Sequence, residues 1–127
     1  MKALLTIITI ITIALIASVS LRAAEAPAEA KASFAVLLSA ITANDYAACQ
    51  AQGDEKFAKA LTKDLFEKVQ AQIAPRLKAG YEMTYLTDLH RHGHKVTLWK
   101  LTFKDGGDDA LATLSMKEGK VTGFFIQ

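Results

Sequence analysis

Apolar and polar side chains alternate along the last third of the chain, from Tyr81 to Gln127. This two-residue period is typical of β-strands with one buried face. In the first segment the odd-numbered residues of Tyr81–Leu89 form the apolar row, so they are predicted to face the core. The polar segment His90–His94 contains a glycine and predicts a hairpin turn into a second strand over residues 95–104.

The apolar side chains change faces midway along this second strand. Two of them lie on one face and three on the other, namely Val96 and Leu98, then Trp99, Leu101 and Phe103. A shift of one residue turns side chains over, so one explanation is a β-bulge near Leu98 and Trp99. The alternative is a central strand that is covered on both faces.

Two further turns divide the remaining residues into a third and a fourth strand. Asp105–Asp108 contains two glycines, which adopt positive φ without a Cβ clash, and Glu118-Gly119 marks a tight hairpin. Ala110–Met116 alternates as the third strand and Val121–Gln127 forms the fourth. Gly123 weakens the fourth strand and predicts a kink, where a helix lies against the sheet.

The residues before the strands have the three- and four-residue apolar spacing of amphipathic helices. Ser33 is the predicted N-cap of the first helix, and Asn44-Asp45 ends it and caps a short second helix that ends near Gly53. Thr62 is the predicted N-cap of a third helix, and Gly80 its C-terminal stop. The sequence therefore predicts an α+β domain in which helices cover one face of a curved four-stranded antiparallel sheet.

The predicted core combines the apolar faces of these helices and strands. A chain of about 100 residues can bury a single core of modest size. The predicted members are Phe34, Leu38, Phe66, Val69, Ile73, Tyr85, Trp99, Leu101, Phe103, Leu114 and Phe125.

Residues 1–24 have the composition of a secretory signal peptide. Lys2 is followed by the charge-free run Ala3–Val19 and then by small residues, the three parts of such a leader. We expect cleavage after Ala23 or Ala24 and export to the periplasm or outside of a bacterium. The apolar run lies at the lower length limit of a spanning helix, so an uncleaved membrane anchor is the alternative.

Removal of this leader leaves a chain with a net charge near zero. Lys2 and Arg22 are lost with it, which lowers the 15 basic residues to 13, against 13 acidic residues. Without a basic cluster, nucleic acid is not predicted as a partner. Residues 25–32, rich in alanine, proline and glutamate, are predicted as a flexible tether, followed by a single domain over residues 33–127.

Two short segments carry a family resemblance. Asn44-Asp45-Tyr46 interrupts the helices, and Gly119-Lys120-Val121 with Gly123-Phe124 forms the final hairpin. Over residues 33–127 the chain resembles the nuclear transport factor 2-like (cystatin-like cone) superfamily, and most of all its small exported domains of unknown function. The resemblance implies a curved sheet around helices that can enclose a pocket. It implies no chemistry, because the fold hosts isomerases, dehydratases, binding modules and accessory domains.

Neither metal nor cofactor is predicted. On a strand, His90, His92 and His94 would face one way and could hold a zinc or copper ion, but the glycine places them in a turn where this alternation fails. Asp105–Asp109 has too few oxygen ligands for a calcium loop and is interpreted as a turn. Cys49, the single cysteine, is predicted to be a small buried apolar residue without an internal disulfide.

Catalysis in a pocket of this kind needs an inward carboxylate or imidazole beside a tyrosine or a second acid. Asp45, Tyr46 and His90 are the candidates, but Asp45 is more simply a helix cap. The predicted inward row of the first strand contains no acid or base between its tyrosines. This shortage of ionisable groups favours a non-enzymatic function.

We therefore expect an exported, non-enzymatic domain that binds a small apolar ligand or a protein partner through the concave face of the sheet and can form a homodimer. The predicted ligand-binding residues are Tyr46, Tyr81, Tyr85 and Trp99. The alternatives are a small isomerase or dehydratase with a pocket acid or base, and periplasmic metal binding through the His90–His94 turn.

Overall fold

A computed structural model describes residues 25–127, so the predicted leader and the alternative membrane anchor lie outside the described residues. Four helices precede four strands: α1 Ala28–Thr42, α2 Tyr46–Ala51, α3 Glu55–Ala60, α4 Lys63–Lys78, β1 Tyr81–Arg91, β2 His94–Phe103, β3 Ala110–Lys117 and β4 Lys120–Ile126. The strands form one antiparallel sheet in the order β1-β2-β3-β4. The predicted α+β fold class and the meander are confirmed. No helix within residues 25–127 has the length and apolar character needed to cross a bilayer.

Side-chain caps begin three of the four helices. Asp45 accepts a hydrogen bond from the Ala48 amide at 3.0 Å, and Thr62 accepts one from the Leu65 amide at 3.2 Å, so both predicted caps are confirmed. Asp54 caps α3, which the sequence analysis missed, by accepting from the Phe57 amide at 2.8 Å. Each cap satisfies an amide that has no partner within its helix.

The first helix begins earlier than predicted. Ser33 is not its N-cap, because α1 starts at Ala28 after Pro27, without a side-chain cap. Residues 28–32, predicted as part of a flexible tether, are therefore helical. The apolar face of α1 extends back to Ala30, which is only 4% exposed, and this burial stabilises the additional turn.

The core lies between α1, α4 and the concave face of the sheet. Phe34, Leu37 and Leu38 on α1 are completely buried. The Phe34 ring lies 5.0 Å from the Trp99 ring and 5.8 Å from the Phe124 ring. The helix side of the central strands is therefore filled by side chains of the protein itself.

A β-bulge lies in β1. The sequence predicted one in the neighbouring strand, β2, near Leu98 and Trp99. Tyr85 pairs with Trp99 and Thr87 with Leu98, so Leu86 is the additional residue, whereas β2 pairs with β3 without a shift. Beyond the bulge the alternation is reversed. Thr87 and Leu89 therefore lie on the outer face, and the prediction that they face the core is wrong.

A second register shift occurs in β4, next to the kink that Gly123 predicts. Val121 pairs with Met116 and Gly123 with Ser115, so Thr122 is the additional residue. The shift places Phe124 opposite buried Leu114 and turns Phe125 outward. Phe125 is 71% exposed, so the prediction that it belongs to the core is wrong, and its neighbour Phe124 packs there instead.

The two adjacent phenylalanines allow a matched test of this register. Phe124→Ala should lower the free energy of unfolding by about 2 kcal/mol, because a half-buried ring is lost from the core. Phe125→Ala should change it by less than about 0.5 kcal/mol, as is usual for a surface site. Urea unfolding of both variants checks this, and a larger loss for Phe125→Ala than for Phe124→Ala would contradict the register.

Candidate ligand-binding cavity

A cavity of about 340 Å³ lies between α3, α4 and the edge strand β4, with contributions from α1, α2 and β3. We call it the edge cavity. The side chains that form it are mostly aliphatic and aromatic, with a few polar groups. The lining residues are Ile41, Cys49, Phe57, Leu61, Leu65, Phe66, Val69, Gln72, Ile73, Arg76, Asp109, Ala110, Phe124, Phe125, Ile126 and Gln127.

Backbone pairing at the edge of β4 positions the wall formed by α3. The Asp54 amide donates to the Val121 carbonyl at 2.9 Å, and the Val121 amide donates to the Gln52 carbonyl at 3.0 Å. This short parallel bridge places α3 in contact with β4. A helix cannot continue the ladder of strand hydrogen bonds, so only side chains such as Phe57 fill the space beyond the bridge. They fill it incompletely, which leaves the cavity.

Tyr46 supports this region without lining the cavity. Its hydroxyl donates to the Leu61 carbonyl and accepts from Gln50 Nε2 at 2.8 Å, and the same amide of Gln50 donates to the Ala58 carbonyl at 2.9 Å. The Tyr46 ring lies 5.4 Å from the ring of Phe66. The polar groups of Tyr46 are occupied in joining α2 to α3 and to the start of α4, which is a structural role.

The other predicted ligand-binding residues lie in or near the core. Trp99 is 1% exposed and donates from Nε1 to Thr97 Oγ1 at 2.8 Å, so it has no surface to offer a ligand. Tyr81 and Tyr85 pack against the core from β1 and line neither this cavity nor a smaller one near the start of α1. The predicted set therefore does not coincide with the cavity.

The face of β1 that carries Tyr85 does contain an acid, contrary to the sequence analysis. After the bulge Asp88 pairs with buried Thr97. Asp88 Oδ2 accepts a hydrogen bond from the Tyr85 hydroxyl at 2.9 Å and lies 3.7 Å from Lys95 Nζ. Burial, and then the hydrogen bond and charge of Asp88, raise the pKa of Tyr85. Tyr85 is half-buried and Asp88 is exposed, and neither lines the edge cavity.

The residues predicted as catalytic or metal-binding candidates do not lie together in one site either. Asp45 caps α2, and His90 is exposed on β1. His90 and Arg91 pair with Lys95 and His94, so His90 and His94 occupy successive register positions, on opposite faces of the sheet. His92 lies in the turn, with φ 52°, so the predicted turn is shorter than residues 90–94. Within residues 25–127 no group of three His, Cys, Asp or Glu side chains is arranged to hold a metal ion.

Arg76 forms the polar end of the edge cavity. Its Nε donates to Asp105 Oδ2 at 2.8 Å and its Nη2 donates to the Asp108 carbonyl at 2.6 Å. The guanidinium lies 3.8 Å from the centre of the Phe103 ring, which adds a cation–π contact. Asp105 Oδ1 also accepts from the Gly107 amide at 2.8 Å, so this segment is the predicted turn, fastened to α4 by one ion pair.

Cys49 also lines the cavity, but its thiol is expected to be a poor nucleophile. It is 3% exposed, and burial, followed by the charge of Asp45, raises its pKa to about 11. At neutral pH the sulfur is therefore a protonated thiol, which is a poor nucleophile. The predicted role as a buried apolar residue is confirmed.

Sequence reasoning missed most of the residues that line the cavity. Phe57 and Leu61 are spaced as one face of a helical turn, and the Asp54 cap is a signal for α3 that could have been used. A void between elements leaves no pattern in the sequence, because it depends on how closely three separate elements approach one another.

Two solved structures are similar to this chain in fold. One is an NTF2-like protein of unknown function from Cytophaga hutchinsonii, 7% identical, with a TM-score of 0.38 and coverage of 77% of this chain and 88% of that one. The other is an uncharacterised cystatin-fold protein from Novosphingobium aromaticivorans, 10% identical, with a TM-score of 0.42 and coverage of 80% and 99%. Both printed names match the superfamily that the sequence resembles. No family model matches the chain, and no curated protein matches it significantly.

The raised pKa of Cys49 predicts slow modification of the native thiol. At about pH 8 only about one thousandth of this thiol would be ionised, so reaction with Ellman's reagent should be about 100-fold slower in the native protein than in urea. The rate of thionitrobenzoate release measures this. Equal rates with and without urea would contradict the burial of Cys49.

The Arg76–Asp105 pair predicts a specific pH dependence. Arg76, and then the Gly107 amide, lower the pKa of Asp105 below its usual value of 3.8. The pair therefore stabilises the fold above about pH 4, and this contribution is lost as the pH falls further. Asp105→Asn should lower the thermal midpoint at neutral pH. The difference in midpoint between this variant and the parent should shrink as the pH falls below about 4.

Arg76→Gln provides the control for this titration. In that background Asp105→Asn should have little additional effect on the midpoint at neutral pH, because the charged partner is already gone. An equal effect of Asp105→Asn with and without Arg76 would show that the two side chains are not coupled.

Proposed function

We propose that this chain is an exported, non-enzymatic domain that binds a small apolar molecule in the edge cavity. The observation that carries the proposal is the volume of about 340 Å³ together with a largely apolar lining. Pockets for small ligands typically enclose about 300–1,000 Å³ and combine apolar walls with a few polar groups. This site replaces the filled concave face as the place where a ligand would bind.

The apolar side chains at the cavity explain what would drive binding. Leu65, which lines it on α4, is 47% exposed. A ligand that covers such apolar side chains removes apolar surface from water, which is favourable by about 25 cal/mol for each Å². The site is concave, which suits a small molecule better than the flat surface of a folded protein partner.

The ionisable groups of the cavity favour binding over catalysis. Among its lining residues the thiol of Cys49 is protonated at neutral pH, and Arg76 is bound to Asp105. The remaining carboxylate, Asp109, is exposed. Acid–base catalysis of an isomerase or dehydratase reaction needs a positioned group that exchanges protons near neutral pH, and Asp45, Tyr46 and His90 lie outside this lining.

A matched pair of valine substitutions tests the proposal. Val69 lines the cavity on α4, whereas Val36 is 40% exposed on α1 and does not. The fluorescence of N-phenyl-1-naphthylamine should rise when this uncharged probe enters the cavity of the parent protein. Val69→Trp should weaken probe binding by about tenfold or more, because the larger side chain occupies the space that the probe requires.

Val36→Trp is the control, because it adds the same bulk at an exposed position that does not line the cavity. It should bind the probe like the parent, and far-ultraviolet circular dichroism checks that both variants remain folded. No saturable probe binding by the folded parent, or equal binding by both variants, would refute the proposed site.

A further inference from the structure

The charges at the polar end of the edge cavity indicate which kind of head group a ligand carries, an inference that rests on the proposed function. Arg76 is the cationic residue of the lining, and its guanidinium is engaged by Asp105 and by the carbonyl of Asp108. It also stacks on Phe103. An incoming carboxylate or phosphate would therefore compete with an ion pair that already exists.

Three acidic side chains act on this one guanidinium. The hydrogen bond with Asp105, and then the charges of Asp105, Asp108 and Asp109, raise the pKa of Arg76. Acidic groups therefore outnumber the basic group at this end of the cavity. An anion placed here is repelled, and a cation is attracted.

Asp109 is the carboxylate that a bound ligand would meet. It lines the cavity, unlike Asp105 and Asp108. Among the hydrogen bonds and ion pairs of the described residues, none engages its side chain. Among the described residues, Asp109 therefore presents an exposed carboxylate without a hydrogen-bond donor at the end of a largely apolar site.

We propose that the edge cavity selects amphiphiles with a protonated amine and discriminates against fatty-acid-like anions. The apolar body would lie against Val69, Ile73 and Ile126, and the ammonium group would lie near Asp109. An ammonium group has three donors and no acceptor, which matches a free carboxylate. A neutral alcohol of the same chain length should bind with intermediate strength.

Displacement of N-phenyl-1-naphthylamine by three eight-carbon competitors tests this selectivity. Octylamine, 1-octanol and octanoate share one apolar chain and differ in the charge of the head group at about pH 7. For the parent protein in about 20 mM salt, octylamine should displace the probe at a concentration at least about threefold lower than octanoate, with octanol between them. About 500 mM salt should reduce this ratio.

Two charge variants locate the effect. Asp109→Asn should bring the octylamine and octanoate values to within about twofold of each other, and Asp109→Lys should reverse their order. Glu82→Gln removes an exposed charge from β1, at the opposite edge of the sheet, and should leave the order unchanged.

The possible outcomes separate the two proposals. If the probe binds saturably and all three competitors displace it equally, or octanoate displaces it most strongly, the proposed selectivity is wrong. The proposal of an apolar binding site is then still supported. An amine preference that survives Asp109→Asn also overturns the selectivity. Absence of probe binding to the folded parent refutes the site and the selectivity together.

Discussion

The packing of α1 against the concave face of the sheet determines where this fold can contain a ligand cavity. Phe34, Leu37 and Leu38 are completely buried, and Phe34 lies against Trp99 and Phe124. Interiors are packed at close to crystalline density, so a sheet face filled in this way retains no ligand pocket. The space that remains lies at the side of the sheet, where helices meet an edge strand.

Two β-bulges adapt the sheet to this helix. A bulge bends its strand and increases the local twist, and the bulges at Leu86 and Thr122 lie in the two edge strands, β1 and β4. The second bulge directs Phe124 toward Phe34. Next to it, the bridge between Gly53 and Val121 brings α3 to the edge of β4. The edge cavity is a consequence of this junction, because a helix occupies the position of a fifth strand without being able to pair as one.

Features that depend on local residue chemistry were accessible from the sequence. The caps at Asp45 and Thr62, the turn at Asp105–Asp108 and the four strands follow from side chains that act within a few positions of one another. The faces of Leu89 and Phe125 were predicted incorrectly, because one additional residue in a strand reverses every later side chain. Neither bulge carries a residue type that identifies it unambiguously.

The candidate site depends on tertiary geometry to a greater extent than the helix caps, turns and strands do. Tyr85 and Trp99 were predicted both as core residues and as ligand-binding residues, and the sequence could not show which role each side chain takes; Trp99 is 1% exposed and packs against Phe34 of α1. Conversely, Val69 was recognised as a core residue, and only the separation of α4 from β4 makes it part of a cavity wall. The resemblance to nuclear transport factor 2-like proteins predicted a pocket in general, and it left the position of that pocket open.

The most direct test of this account is a titration of the folded protein with 1-octanol, followed by methyl and amide resonances in nuclear magnetic resonance spectra. We expect saturable shifts for Val69, Ile73 and Ile126, which line the edge cavity, and an unchanged indole N–H resonance of Trp99. Shifts centred on Trp99 and Tyr85, with Val69 and Ile126 unaffected, would show that the concave face is open and would contradict the account.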